Sequence, residues 1–130
     1  MRGGKENQQR YHLENIENHR MINRRRKYRI KNLPSTFTLE QWEGCKKHFN
    51  NKCAYCGELA DVLHQEHFIP VSSGGAYVIE NIVPACSKCN LSKNKYDFFD
   101  WYYKQVFYSK SKEQKILQYL SDVRMDADAK

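Results

Sequence analysis

Residues 66–94 read EHFIPVSSGGAYVIENIVPACSKCNLSKN, and the fold turns on how this stretch divides. Its left end continues DVLHQEHF (61–68), rich in β-branched and aromatic residues, which reads as a strand that Pro70 helps to end. IVPA (82–85) reads as a second, shorter strand, and the loop between them includes SSGGAY (72–77). CSKCNLSKN then opens a helix. Two short strands followed by a helix make a small α+β core.

Four of the five cysteines fall in two C-x-x-C pairs, Cys53/Cys56 in CAYC and Cys86/Cys89 in CSKC. A two-residue gap lets a turn or a helix start present two thiolates to one ion, and two such pairs complete a tetrahedron. A redox dithiol or four unconnected buried thiols are the alternatives. A chain this small gains folding free energy from a metal staple, which favours a structural Zn²⁺ on Cys53, Cys56, Cys86 and Cys89. The fifth, Cys45, lies on the apolar face of a helical pattern and reads as a small buried hydrophobe.

Between the pairs lies HQEHFIP (64–70). If thiolates fill the zinc shell, His64, Glu66 and His67 are free for other work. Metalloprotease helices need H-E-x-x-H or H-x-x-E-H, and the spacing here is H-x-E-H in a strand-like run. Taken alone, such a cluster reads better as ordinary polar strand residues. His64 and Glu66, two apart on a strand, face the same way.

The cluster does not stand alone. Glu66-His67 is followed by Asn81 in ENIVPAC and by Asn90 directly after Cys89. This order, with the glycine-rich loop and the C-x-x-C-N junction, resembles the HNH endonuclease family, firmly over about residues 53–95. The segment LPSTFTLEQWEGCKKHFNNKCAYCG and the aromatic tail look like the small free-standing HNH proteins of phages. The resemblance implies a ββα-metal core and metal-dependent hydrolysis of DNA phosphodiesters, leaving 5′-phosphate and 3′-hydroxyl ends by nicking or double-strand cleavage. It makes His67 the general base, Glu66 and Asn90 the ligands of a catalytic Mg²⁺ or Mn²⁺, and Asn81 the brace of the loop that orients His67. Two readings stay open for each of two further residues: for His64, a structural or solvent role ahead of a phosphate or metal-shell contact, and for Lys93, one turn after Asn90, a phosphate contact or an ordinary solvated lysine. The family more often carries Asp or His at the position of Glu66, and Asn at that of Asn90 is one of its variants.

The net charge of +7 is carried by one end of the chain. Residues 1–31 hold ten Lys/Arg against three acids, and the rest of the chain sums to zero. RRRKYRIK concentrates Arg24, Arg25, Arg26, Lys27, Arg29 and Lys31 around Tyr28, the footprint of contact with a polyanion such as double-stranded DNA. Residues 1–31 therefore read as a basic arm, helical at most in part, and 32–130 as the nuclease domain, with helices at 96–124. A basic arm and a Cys₄ site would also suffice for a zinc-ribbon nucleic-acid-binding module without catalysis. Mean hydropathy of −0.88 and the lack of a spanning apolar run argue against a membrane protein. The N-terminus lacks a signal-peptide pattern, so a cytoplasmic location is expected, the host cytoplasm if the chain is phage-encoded. Oligomeric state, protein partners and DNA sequence preference carry no signal here.

The flanks supply helices. Thr38 and Gln41 have capping-box spacing ahead of Leu39, Trp42, Cys45 and Phe49, predicting an amphipathic helix over 39–49. Gly57 suits a left-handed turn after CAYC. YDFFDWYYKQVFY should continue the helical region after a bend. Ser111, with Gln114 three residues on, is expected to cap a last helix whose buried face is Ile116, Leu117, Leu120 and Val123. RMDADAK should fray.

Overall fold

The computed structural model describes residues 32–128. The basic arm, with Arg24 to Lys31, lies outside the described residues.

Helix α1 spans Leu39–His48, one residue shorter than the sequence pattern suggested, because Phe49 closes it as C-cap. The Thr38 hydroxyl accepts from the Gln41 N–H at 3.1 Å, and Gln41 Oε1 accepts from the Thr38 N–H at 3.0 Å, a complete capping box. Trp42, Cys45 and Phe49 are buried. Leu39, in the first turn, stays 38% exposed because the helix has barely met the core there.

Strands β1 (His64–His67) and β2 (Ile82–Ala85) pair antiparallel, His64 opposite Ala85 and His67 opposite Ile82. The strand expected from residue 61 starts only at 64, since β2 offers four partners and no more. Pro84 sits within β2 without harm, because in a two-stranded sheet one side of each strand needs no ladder partner. The CAYC knuckle hangs from this sheet through the Ala54 N–H, which donates to the Pro84 carbonyl at 2.8 Å.

Helix α2 (Ser87–Lys93) leaves β2 at Cys86 and packs across β1. Of the aromatic run, only Phe98–Tyr102 is helical, forming α3, and residues 103–107 turn. The Trp101 indole N–H donates to Ser92 Oγ at 2.9 Å, seating α3 against α2. Helix α4 spans Lys110–Asp128.

Two expectations about α4 need correction. Its cap is Ser109, whose hydroxyl accepts from the Lys112 N–H at 3.2 Å, and not Ser111, which already lies inside the helix. RMDADAK does not unravel from its start: the helix runs through Arg124 to Asp128. Ile116 and Leu120 are buried as expected, and Leu117 and Val123 are half-buried. Tyr119, missed in the sequence, is 5% exposed and packs on Phe49 and His48.

One core joins these parts: Phe37, Trp42, Cys45 and Phe49 meet Ile82 and Val83, with Ile116, Tyr119 and Leu120 closing from α4. An aromatic group of Tyr55, Phe98, Trp101 and Tyr102 continues it beside the CAYC knuckle. The result is a small α+β fold with a ββα centre. Among the described residues no helix is long and apolar enough to cross a membrane.

Candidate active site

The two knuckles bring Cys53, Cys56, Cys86 and Cys89 together, with all four sulfurs within 4.8 Å of one another. Cys56 and Cys86 sulfurs stand 3.9 Å apart. A tetrahedral ion with Zn–S bonds of ~2.3 Å spaces its thiolates about 3.8 Å apart, so the cluster can bind a metal such as zinc. The crowding shows in the thiols' acidity. The bond with Cys89 holds Cys53 down at about 5, and the same contact drives Cys89 upward. The Lys112 ammonium, from α4, donates to the Cys56 carbonyl at 3.1 Å beside Gly57, whose φ of 79° suits glycine.

Beyond β1 a groove of about 590 Å³ is lined by Gln65, Glu66, His67, Pro70, Val71, Ser72, Asn90, Leu91, Asn94 and Lys95. It gathers Glu66, His67 and Asn90, three of the sequence-derived candidates, from a strand and a helix. Asn94 leaves α2 at φ 46°, a conformation that strains a residue with a side chain, and it sits on the same wall.

His67 is half-buried, and its ring stacks on Tyr77 with centroids 6.0 Å apart and planes 29° apart. Tyr77 is wholly buried and held by main chain on both sides: its N–H donates to Pro34, and its carbonyl accepts from Thr36 and Phe37, each at 3.0 Å. Its hydroxyl donates to Gln65, His67's neighbour on the same face of β1. The short segment before α1 thus supports the His67 ring through Tyr77.

Asn81 sits behind the loop that follows β1. Its Oδ1 accepts from the Ile69 N–H at 2.8 Å, and its Nδ2 donates to the carbonyls of Ile69 and Ala76 at 3.1 and 3.0 Å. Its own carbonyl accepts from the Phe68 N–H at 2.9 Å. Gly75 completes the turn: a Cβ there would lie 1.7 Å from the Ile69 oxygen and 2.9 Å from Asn81 Nδ2.

Glu66 faces inward, on the opposite side of the strand from His67. The Tyr55 hydroxyl donates to its Oε2, and the Lys93 ammonium lies 3.3 Å from its Oε1. Burial pushes the Glu66 carboxyl up, and Lys93 and Tyr55 pull it back by favouring the charged form. Lys93, one turn beyond Asn90 and open in the sequence to a phosphate contact or to plain solvation, is fully buried. Its ammonium also donates to the His67 carbonyl at 2.9 Å. Burial lowers its pKa, with Glu66 opposing. His64 stands opposite Ala85 at the far end of the pairing and is not among the groove-lining residues.

Tyr55, Tyr77 and Gln65 were not singled out in the sequence. Tyr55 reaches Glu66 across 11 residues and Tyr77 reaches Gln65 across 12, and neither contact leaves a local pattern, although the tyrosine inside CAYC was open to view.

Comparison with known proteins bears on this geometry. Residues 53–96 match the model of the HNH endonuclease family. The chain is also 40% identical over 75 residues to the SPbeta prophage-derived protein YoqL of Bacillus subtilis (strain 168), whose name marks HNH endonuclease as an inferred assignment. That match takes in 48% of this chain and 31% of YoqL, so the chain spans under a third of the relative's length. The two knuckles, the antiparallel pair and the helix that follows all lie within the matched segment. The similarity to the HNH endonuclease family thus rests on residues 53–96, about a third of the chain.

Proposed function

We propose that this protein is a metal-dependent endonuclease acting on double-stranded DNA, with His67 as general base and Glu66 and Asn90 as ligands of a catalytic Mg²⁺ or Mn²⁺. The observation that carries the reading is the meeting of Glu66, His67 and Asn90 on one groove beside a Cys₄ cluster able to hold zinc. A carboxylate and a side-chain amide offer hard oxygen donors, which suit Mg²⁺ or Mn²⁺ better than zinc. Each Glu66 oxygen accepts one hydrogen bond and keeps a further lone pair. A divalent ion held there supplies positive charge for the phosphate and the leaving oxygen.

The chain's own residues do the rest. His67 accepts a proton from the attacking water as the water oxygen bonds to phosphorus and the P–O3′ bond breaks. The 3′ oxygen leaves as a hydroxyl after taking a proton from solvent, and the phosphate stays on the 5′ side. Tyr77 backs the imidazole, and Asn81 fixes the loop beyond it. Zinc on the four cysteines would lock β2 and α2 to the first knuckle without entering the chemistry.

The concentrated positive arm and the Cys₄ cluster equally suit a zinc module that binds nucleic acid without cutting it. Supercoiled plasmid incubated with the full chain separates the two. Nicked or linear products with Mg²⁺ or Mn²⁺, abolished by a chelator too weak to strip the Cys₄ site, support the nuclease. Tight binding without cleavage under any divalent ion supports the binding module.

A further inference from the structure

Glu66 and Lys93 are the two charged side chains buried in the described core. A buried ion pair is seldom a net source of stability, since apolar residues of similar size often do as well. What this pair holds gives it another purpose. The peptide group joining His67 to Phe68 is gripped at both ends: its oxygen accepts from Lys93 at 2.9 Å, and its N–H donates to the Asn81 carbonyl at 2.9 Å. The direction of the His67 side chain is set by the backbone thus fixed.

The grip also leads to the thiolate cluster. Lys93 ends α2, the helix that Cys86 and Cys89 open, and Tyr55 lies between Cys53 and Cys56. Each knuckle therefore sends one side chain to Glu66, Lys93 to one oxygen and Tyr55 to the other. Lys93 is in addition a cation 3.3 Å from a carboxylate that lines the groove.

We infer that Lys93 is a positioning residue: it fixes His67 through the main-chain carbonyl, and its charge opposes any divalent ion that approaches Glu66. This rests on the nuclease reading above. Lys93 touches neither the reacting atoms nor the DNA, so removing it acts on turnover and on metal affinity, in opposite senses. A Lys93→Met chain should lose about 100-fold in kcat, the scale of a displaced catalytic group. Its KM for DNA should shift by less than about threefold, since no substrate contact is lost. Mn²⁺ should bind it more tightly, because a like charge has gone.

The experiment uses the full zinc-loaded chain. Plasmid cleavage is measured for wild type and Lys93→Met, and Mn²⁺ binding to both is followed by electron paramagnetic resonance. A lower kcat together with tighter Mn²⁺ binding supports the inference. An unchanged kcat, a change confined to KM, or unchanged Mn²⁺ affinity overturns it. Where Lys93→Met does not fold, ¹⁵N NMR of wild type decides: the Lys93 ammonium signal should be protected from exchange without divalent ion and should move as Mg²⁺ saturates the site. A signal indifferent to Mg²⁺ overturns the inference. Wild type that cleaves nothing with any divalent ion removes the nuclease reading, and this one with it.

Discussion

Tyr55 shows how much a single side chain carries here. It is fully buried, its hydroxyl serves Glu66, and its carbonyl accepts from the Tyr102 hydroxyl at 2.9 Å. Tyr55→Phe keeps the ring but leaves a buried carboxylate oxygen without its donor. It should lower stability by about 1–3 kcal/mol in denaturant titration. Asn81→Ala strands three main-chain groups of the loop at once, and a loss of about 2–3 kcal/mol with reduced cleavage is expected. A stability unchanged by Asn81→Ala would mean that the loop holds itself. At this scale the sequence was partly legible. Glu66, His67, Asn81 and Asn90 stood at spacings that a family resemblance could pick out. The Lys93–Glu66 pair could not be read, because it joins residues 27 apart whose burial depends on the finished fold. A lysine one turn past Asn90 looks solvent-facing until β1 is in place beside it, with Glu66 and the His67 carbonyl as its partners.

Among the elements, α1 was the most legible, since its cap and its apolar spacing are both local. Thr38→Ala should cost about 1 kcal/mol in thermal or chemical unfolding. Helix α4 was misread by two residues because SKSK offers two serines with similar prospects. The turn before it decides: the Glu113 N–H donates to the Ser109 carbonyl at 2.9 Å, which places the helix start at Lys110. The contact between α1 and α4 carries a pH dependence. His48 lies against Tyr119, and desolvation, then the nearby Lys115, lowers its pKa below the ordinary 6.5, with Asp122 opposing. The unfolded chain therefore takes up the proton first. The contribution is intact above about pH 6.5 and is lost as the pH falls through the lower folded value. His48→Gln should show a shallower loss of stability than wild type between neutral and mildly acid pH. Parallel curves for the two proteins would remove His48 from the explanation.

At the scale of the whole molecule, a described segment of under a hundred residues is held by one aromatic-rich core and, on the proposed reading, by one zinc ion. Elemental analysis should find one zinc per chain, and a strong chelator should abolish the cooperative unfolding transition. Deleting residues 1–31 should weaken DNA binding and flatten its dependence on salt, while the Cys₄ core stays folded. The paired C-x-x-C motifs made the overall architecture readable, because metal-ligand spacing survives whatever the chain does between ligands. The support of His67 was unreadable at this scale, since it comes from Tyr77 and from the segment before α1, which the sequence places far from β1. The most direct measurement compares wild type and His67→Ala under single-turnover conditions on supercoiled plasmid with Mg²⁺ or Mn²⁺. Wild type should cut, and the variant should be slower by about 100-fold or more, the usual share of a general base, with DNA binding retained. Equal rates for the two proteins would contradict His67 as the base and the active site built around it.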